Sequence, residues 1–358
     1  MSGYEKYEED IIILSGFNEL TYETKRILLS DFTNPHIDLK NHEKFLIKTL
    51  SDGVYNNVSG KFYDRAYRDE VLRGLEARGV KCVTYFSDGY PDSLKNIPSP
   101  PVMLYCKGDI SLLKTNCFSV VGSRSAPPKT LADCKKLAGE LTLAFTVVSG
   151  VADGADSAAV RGALDCGGKV ICVLANGFDK IYPLSAVNLH RAVAEKGLLI
   201  TEYPPETACK PYHFPVRNRI IAGLSRGVLV VAAAEKSGAL ITADYAADYG
   251  RDVFAFPYSL GSPEGAGCNA LIKNGAYLTE NILDIFLKYG LDCNTQNSPE
   301  LSEEEDEVYK AIKSTGQAFL PQIAQKLGKP SFRLIPVLSS LEIKGLIVRL
   351  GGNRYSVI

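Results

Sequence analysis

The amino-acid sequence predicts an α/β fold: an extended Rossmann-like, doubly wound parallel sheet, with an N-terminal helical module before it and a C-terminal winged helix after it. Three observations carry that expectation. Between Cys117 and Leu287, short and nearly continuous apolar runs alternate with helix-length segments, as parallel strands buried on both faces and joined by crossover helices require. Before residue 85, apolar residues recur at three- and four-residue spacing, as in Val71, Leu72 and Leu75, the period of a helix face. After residue 301 the order reads helix, helix, helix, hairpin, which is the order of a winged helix-turn-helix.

The bulk numbers set the bounds. A chain of 358 residues, 46% hydrophobic and 23% charged, is long enough for two or three ordered domains. The net charge of -1 creates no global field toward a polyanion, so a polyanion site has to be a local patch and the position of each arginine matters more than the total. Nine cysteines are scattered without CxxC spacing, and the four histidines (His36, His42, His190, His213) show no ligand spacing, so no metal site is expected. Met1 to Asp10 is polar and acidic, and no run approaches ~20 apolar residues. We therefore expect reduced thiols, a cytoplasmic location and no membrane contact.

In chain order, residues 1–85 read as a helical (SAM-like) module with helices at Glu5–Leu14, Tyr22–Ser30, Asn41–Leu50 and Arg68–Arg78, and with Gly79 at a C-cap position. A proline-rich connector, Tyr90-Pro91 through Pro100-Pro101, marks the boundary to a domain spanning 86–288. Its strands are expected at Phe118–Val121, Thr146–Val148, Val170–Leu174, Leu198–Thr201, Val228–Ala233 and Val253–Phe256. Its helices are expected at Thr130–Leu143, Ser157–Cys166, Ser185–Lys196, Val216–Leu224 and Ala239–Tyr249. Residues 289–300 are polar and turn-rich, a linker. Ser302-x-x-Glu305 is a capping box opening the winged helix of residues 301–358. Around its recognition helix only Lys329, Arg333 and Lys344 are basic, and its first helix is strongly acidic, so a protein-contact role stands beside duplex binding.

In a doubly wound sheet the ligand lies outside the carboxyl ends of the strands. There the chain places Gly122-Ser123-Arg124, Ser149-Gly150, Glu202, and Ser237-Gly238 with Thr242. The stretch Phe214-Pro215-Val216-Arg217-Asn218-Arg219 opens a helix. Two readings of its arginines stand open: a guanidinium pair for phosphate at a helix start, or ion pairs with carboxylates of the same domain. Set beside Arg124, the first predicts that Arg124, Arg217 and Arg219 converge. Ser123, Ser149, Gly150, Asn218, Ser237, Gly238 and Thr242 would then position a nucleic-acid backbone. Phe214 either stacks a base or packs on the sheet edge, and Asn176-Gly177 is read as a tight turn. Neither G-x-G-x-x-G nor a Walker A pattern is present. Asp153, Asp156 and Glu202 lie near strand ends without a nucleophile–base arrangement, His213 is read as incidental, and Glu202 is read as the carboxylate that orients Arg217 or Arg219.

These residues resemble the DNA-processing protein A, or Smf, family. The resemblance runs from Tyr90 to about Ile285, through Tyr90-Pro91-x-x-Leu94, Lys107-Gly108-Asp109, Val121-Gly122-Ser123-Arg124, Ser149-Gly150-x-Ala152-x-Gly154-x-Asp156, Tyr182-Pro183 and Phe214 to Ser225. It continues in Ser237-Gly238, Ile241-Thr242-Ala243 and Gly267-x-Asn269. The resemblance implies binding of single-stranded DNA, a homodimer, loading of RecA recombinase onto that DNA in natural transformation, and neither enzymatic activity nor a cofactor. The chain departs from the family pattern at Asp153, Ala155, Val160, Ala232 and Tyr258; Asp153 brings a negative charge toward the expected phosphate site. Two other functions are compatible with the fold: a nucleotide phosphoribohydrolase-like enzyme using Glu202 or Asp156, and a sensor that couples a nucleotide signal to the winged helix.

Overall fold

Strands whose side chains are buried on both faces frame the first part of the molecule. The computed structural model describes residues 4–291, 301–344, 346–352 and 354–357, and the chain forms two units divided at residue 292. In the first unit, strands β1 (Lys81–Thr84), β2 (Met103–Gly108), β3 (Cys117–Val121), β4 (Thr146–Ser149), β5 (Val170–Val173), β6 (Leu198–Thr201), β7 (Gly227–Val230), β8 (Asp252–Ala255) and β9 (Tyr277–Leu278) form one sheet. The order across it is β1-β2-β6-β5-β4-β3-β7-β8-β9. From β6 to β9 every pairing is parallel, while β2 runs antiparallel to β6 and β1 antiparallel to β2. The chain winds outward from β3 in one direction through β4, β5 and β6, then returns to the other side of β3 with β7. The gap between β3 and β7 is the topological switch point, where such sheets open a crevice.

The expected α/β frame is therefore present. Five helices precede the main sheet: α1 (Lys6–Gly16), α2 (Tyr22–Leu28), α3 (Glu43–Leu50), α4 (Asp52–Tyr63) and α5 (Arg65–Ala77). They share a core with β1 and β2. In β2, Met103 and Tyr105 face those helices while Leu104 and Cys106 face the main core, the two-residue alternation of a strand serving two layers. Strand β1 falls inside the stretch read as purely helical and pairs with β2 from Lys81 opposite Cys106 to Thr84 opposite Met103. The proline-rich connector is likewise built into the core. Tyr90 is fully buried and donates its hydroxyl to the Pro101 carbonyl at 2.7 Å. Leu94, on the short helix α6 (Asp92–Lys95), and Ile97 pack in the main core.

The crossover helices are α7 (Pro128–Leu141), α8 (Ala155–Asp165), α9 (Val187–Lys196), α10 (His213–Leu224) and α11 (Gly238–Asp248), followed by α12 (Ala266–Lys273) and α13 (Ile282–Lys288). Helices α10 and α11 join α6 in the core on one face of the sheet. Helix α10 begins at His213, three residues before the expected start, so Arg217 and Arg219 stand in its second turn and not at its unpaired amide end. The expected linker divides: Tyr289 packs its ring against Phe118, Phe145 and Phe254, whereas 292–300 lie outside the described residues.

The second unit contains α14 (Glu303–Lys313), β10 (Gln317–Phe319), α15 (Leu320–Leu327), α16 (Ser331–Ile343), β11 (Ile347–Leu350) and β12 (Arg354–Val357), with sheet order β10-β12-β11. Its core joins Val308 and Ile312 of α14 to Leu334, Leu338 and Leu341 of α16. The capping box forms: the Glu305 amide donates to Ser302 Oγ, and the Ser302 amide donates to Glu305 Oε2 at 2.8 Å. Glu305 also accepts from Ser340 Oγ and Lys344 Nζ, each at 2.7 Å.

Those donors hold the Glu305 carboxyl down, from 4.5 to about 2, with Lys344 and Ser340 the main causes. A carboxyl depressed on folding stabilises the native state above its unfolded value, and the contribution is lost as the pH falls through the folded one. Glu305→Ala should lower the unfolding midpoint of this unit at pH 7, and the gap to wild type should close as the pH approaches 2. A pH-independent gap in thermal melts would contradict this account.

Candidate nucleic-acid interface

An open cleft of about 370 Å³ lies at the switch point. Its walls come from the carboxyl end of β3 (Gly122, Ser123, Arg124) and from the first two turns of α8 (Asp156), α10 (Phe214, Arg217, Asn218) and α11 with its cap (Ser237, Gly238, Thr242). The turn after β3 is held by backbone bonds to segments distant in sequence. The Ser123 amide donates to the Ala232 carbonyl at 2.8 Å, and the Ala155 amide to the Ser123 carbonyl at 3.2 Å. Gly154 permits this with φ +78°; a Cβ there would sit 2.5 Å from the Ser123 and Arg124 carbonyl oxygens.

Arg217 is 4% exposed. Its Nη1 donates to the Gly150 carbonyl at 2.8 Å and to the Val173 carbonyl, and its Nε donates to Asn218 Oδ1 at 3.1 Å. Nη2 has no hydrogen-bond partner among the described residues. Asp156 faces this guanidinium. Burial pushes its carboxyl up from the ordinary value, against the opposing pull of Arg217 and of the Ala152 and Gly122 amides. Gly150 lies beneath both groups; a Cβ there would strike the Arg217 guanidinium and stand 2.5 Å from Asp156 Oδ2.

Arg124, by contrast, is exposed. Its guanidinium lies over the Phe214 ring at 4.7 Å, and that of Arg217 lies at 6.0 Å from the same ring. One half-buried aromatic thus collects two cations, a cation–π arrangement that fixes both near the mouth. Asn218 Nδ2 donates to the Gly238 carbonyl at 3.3 Å, tying α10 to the start of α11. Ser237 caps α11 by accepting from the Ala239 amide at 3.3 Å. A Cβ on Gly238 would meet nothing within 4 Å, so the space over this helix start is open. Amide groups at such a start favour an anion.

The structure brings together Ser123, Arg124, Phe214, Arg217, Asn218, Ser237, Gly238 and Thr242. Three expected members stand apart from the cleft wall. Ser149 is buried and donates its hydroxyl to the Val120 carbonyl at 2.7 Å. Gly150 serves through its carbonyl, as a seat for Arg217. Arg219 does not converge with the other two arginines. Two residues beyond Arg217 on a helix, it points roughly 200° away. It pairs there with Glu202 at 2.7 Å and lies 5.9 Å over the Tyr22 ring of α2. Glu202 therefore orients Arg219 and not Arg217.

The carboxylate inside the cleft is Asp156. Asp153 is exposed and outside the lining, and accepts from Ser185 Oγ at 2.7 Å. His213 is buried, with Nδ1 2.9 Å from the Ala175 carbonyl and its ring stacked on Tyr203. Asn176 holds its own turn, donating to the Gly177 carbonyl at 3.0 Å. The sequence reading gave Tyr182 no role at the site. Tyr182 lies well along the loop between β5 and α9, and its ring meets Phe214 edge-on at 5.7 Å.

Known proteins of similar sequence and fold exist. The family model described as DNA recombination-mediator protein A matches residues 81–290. The DNA processing protein DprA of Bacillus subtilis is 40% identical over 239 residues, 66% of this chain and 80% of that protein. The DNA processing protein DprA of Streptococcus pneumoniae is 35% identical over 275 residues, 75% of this chain and 98% of that protein. The X-ray structure of a Streptococcus pneumoniae DprA superposes with a TM-score of 0.68 at 32% identity, covering 80% of this chain and 98% of the other. A structure of Helicobacter pylori DNA processing protein A, described for its single-stranded DNA binding mode, superposes with a TM-score of 0.54 at 28% identity, covering 60% and 97%. Among the described residues no helix is long and apolar enough to cross a membrane.

The separate duty of Arg219 can be measured. Arg219→Ala leaves Glu202 largely buried without its partner, which should cost on the order of 3 kcal/mol of stability. It should also speed hydrogen exchange in α2, where Tyr22 sits under the guanidinium. A variant as stable as wild type in urea would show the pair to be dispensable.

Proposed function

The chain belongs to the DNA recombination-mediator protein A family, and on that footing we propose that it binds single-stranded DNA along the switch-point cleft. Chief support comes from the Arg124–Phe214–Arg217 arrangement: two guanidiniums over one aromatic ring at the mouth of a cleft that also receives a helix start. Exposed Arg124 meets a phosphate directly, and Arg217 offers Nη2 from a fixed position. Ser123, Asn218, Ser237, Gly238 and Thr242 shape the backbone path, and the ring takes an unpaired base. Arg219, Ser149 and Gly150 support this wall from behind.

In the same proposal the chain acts in the cytoplasm as a homodimer and loads RecA recombinase onto incoming single-stranded DNA during natural transformation. Residues 1–85 are the helical module, 86–288 the DNA-binding domain, 289–300 the linker and 301–358 a winged helix. That last unit suits a protein contact better than a DNA groove. Lys329 is bonded to Glu304 and Glu307, Lys344 to Glu305, and Phe332 and Ile335 are exposed on α16.

The role is binding and not catalysis. Serine and threonine hydroxyls line the cleft, but the nearby His213 is buried with its Nδ1 held at the Ala175 carbonyl, outside the lining. A second reading, a nucleotide sensor, draws on the cleft volume of about 370 Å³, enough for a single nucleotide. Competition between dTMP and a dT oligomer separates the two: a sensor prefers the monomer.

Arg124→Ala tests the assignment. It should weaken oligo(dT) binding roughly tenfold at low salt and reduce the log–log salt slope by about 0.7, the value of one phosphate contact on a single strand. Unchanged affinity would count against this site. Arg217→Ala is a poor substitute, because it removes buried bonds to two carbonyls and the positive charge facing Asp156, and so lowers stability as well as affinity. Asp156 gives a pH signature. Its carboxyl is raised by burial, so it takes up a proton at a higher pH than an ordinary aspartate, and that proton removes a negative charge from the cleft. Affinity for oligo(dT), whose bases do not protonate there, should rise as the pH falls. Asp156→Asn should bind a few-fold tighter at pH 7 and show no such rise. A wild-type profile flat with pH, or an unchanged slope in Asp156→Asn, would contradict it.

A further inference from the structure

Beyond the arginine cleft, the loop between β5 and α9 presents an aromatic face with a different chemistry. Tyr182 is 45% exposed and Leu184 79% exposed. The Tyr182 ring meets Phe214 at 5.7 Å and 63°, on the ring that carries Arg124 at 4.7 Å. An exposed tyrosine in a mobile loop would mean little, but this loop is braced. Asn176 Nδ2 donates to the Gly177 and Lys180 carbonyls. The Gly177 amide donates to the Thr207 carbonyl at 2.9 Å and the Asp179 amide to the Pro205 carbonyl at 2.8 Å. Arg78 of the segment after α5 bonds Asp179 at 2.9 Å and Glu206 at 3.0 Å, locking both loops together.

The charges on this rim divide the ligand. Asp153 is exposed and bonded to Ser185, two residues from Pro183. A phosphate is repelled here and drawn to Arg124 and Arg217, whose guanidiniums lie over the Phe214 ring. A neutral aromatic group is not repelled, and the exposed faces of Tyr182 and Leu184 offer it apolar surface. We propose that Tyr182 is a base-stacking platform that extends the cleft by one nucleotide, binding an unpaired nucleobase whose neighbouring phosphate lies at Arg124. This rests on the single-stranded DNA reading above and adds the place of a second base site.

The test uses the whole 358-residue chain, a dT 12-mer, the same 12-mer with abasic residues, and dTMP, across one salt series common to all variants. Tyr182→Ala should weaken the dT 12-mer roughly tenfold, the effect of one base–aromatic stack. Tyr182→Phe should stay within about twofold of wild type, since it keeps the ring. The abasic oligomer should bind wild type more weakly and be indifferent to Tyr182→Ala, and the salt slope should not change in either variant. With 5-iododeoxyuridine in the oligomer, photocrosslinks should map to Tyr182. Equal loss for the dT and abasic oligomers, or none for either, would overturn the proposal while leaving single-stranded DNA binding intact. Tight dTMP binding lost in Tyr182→Ala without an oligomer effect would assign the platform to a free nucleotide and overturn it as well. No oligomer binding by wild type at all would sink both readings together.

Discussion

The seat of Arg217 is the constraint on which the rest of the first unit depends. A guanidinium that is 4% exposed carries a desolvation cost of several kcal/mol unless its donors are met. The carbonyls just past β4 and at the end of β5 need donors in turn. Gly150 and Val173 supply the acceptors and Arg217 the donors, so each side satisfies the other. The helix that carries the arginine is thereby pinned across the ends of two strands. Asn218, the next residue, passes the register to α11 through the Gly238 carbonyl. One side chain and its neighbour thus fix the relation of β4 and β5 to α10 and α11, the two helices that wall one side of the cleft.

That pinning explains residues that seem unrelated in the sequence. Gly150 has no room for a Cβ because the Arg217 and Asp156 side chains pass over it. The second half of α10, Ile220 to Leu224, must then drop onto the sheet, and it is buried throughout. Gly223 lets the helix approach the connector, where a Cβ would stand 2.8 Å from Leu94 Cδ2 and 3.0 Å from Ile97 Cγ2. The proline-rich stretch is accordingly a strap that closes the core over α10. Arg219, on the opposite side of the same helix, joins this domain to the N-terminal helices through Glu202 and Tyr22. Polar residues in α10 therefore work on two fronts, the cleft and the helical module.

How far this was legible in the sequence depended on whether the deciding force was local. The parallel strands could be read because burial on both faces makes them uniformly apolar. Strand β9 has two residues, both exposed, and exists only because β8 offers it an edge. Strand β1 opens with exposed Lys81 and follows a helical run, so its pairing with β2 is a tertiary effect. Helix α4 carries Gly53, Asn56, Asn57, Ser59 and Gly60, which oppose helix formation, yet Tyr55, Val58 and Phe62 are buried on one face and prevail. At the site, the strand-end loops announced the cleft. The separation of Arg217 from Arg219 was also available, since residues two apart on a helix cannot share a face. Treating the motif as a helix start, when α10 had already made its first turn, hid it. Asp156 was visible as a carboxylate near a strand end, but its burial against Arg217 depends on how closely α8 meets β3 and could not be read from spacing.

The charge balance of the cleft finally constrains how any extended anionic ligand is held. The chain has a net charge of -1, and of the two arginines in the cleft one is exposed and one is already bonded to carbonyls. Asp156 offsets part of the pair, and Asp153 stands on the adjoining rim. A single exposed cation in water contributes modestly, so in the proposed binding mode phosphate contacts supply only part of the affinity. The remaining surface is aromatic: Phe214 beneath the guanidiniums and Tyr182 against its edge. Stacking is tolerant of base identity and insensitive to salt, and is open only to bases released from pairing. On the proposed reading, an interface weak in charge and strong in aromatic surface would favour single strands over duplex. The duplex presents the same phosphates at higher density but keeps its base faces closed.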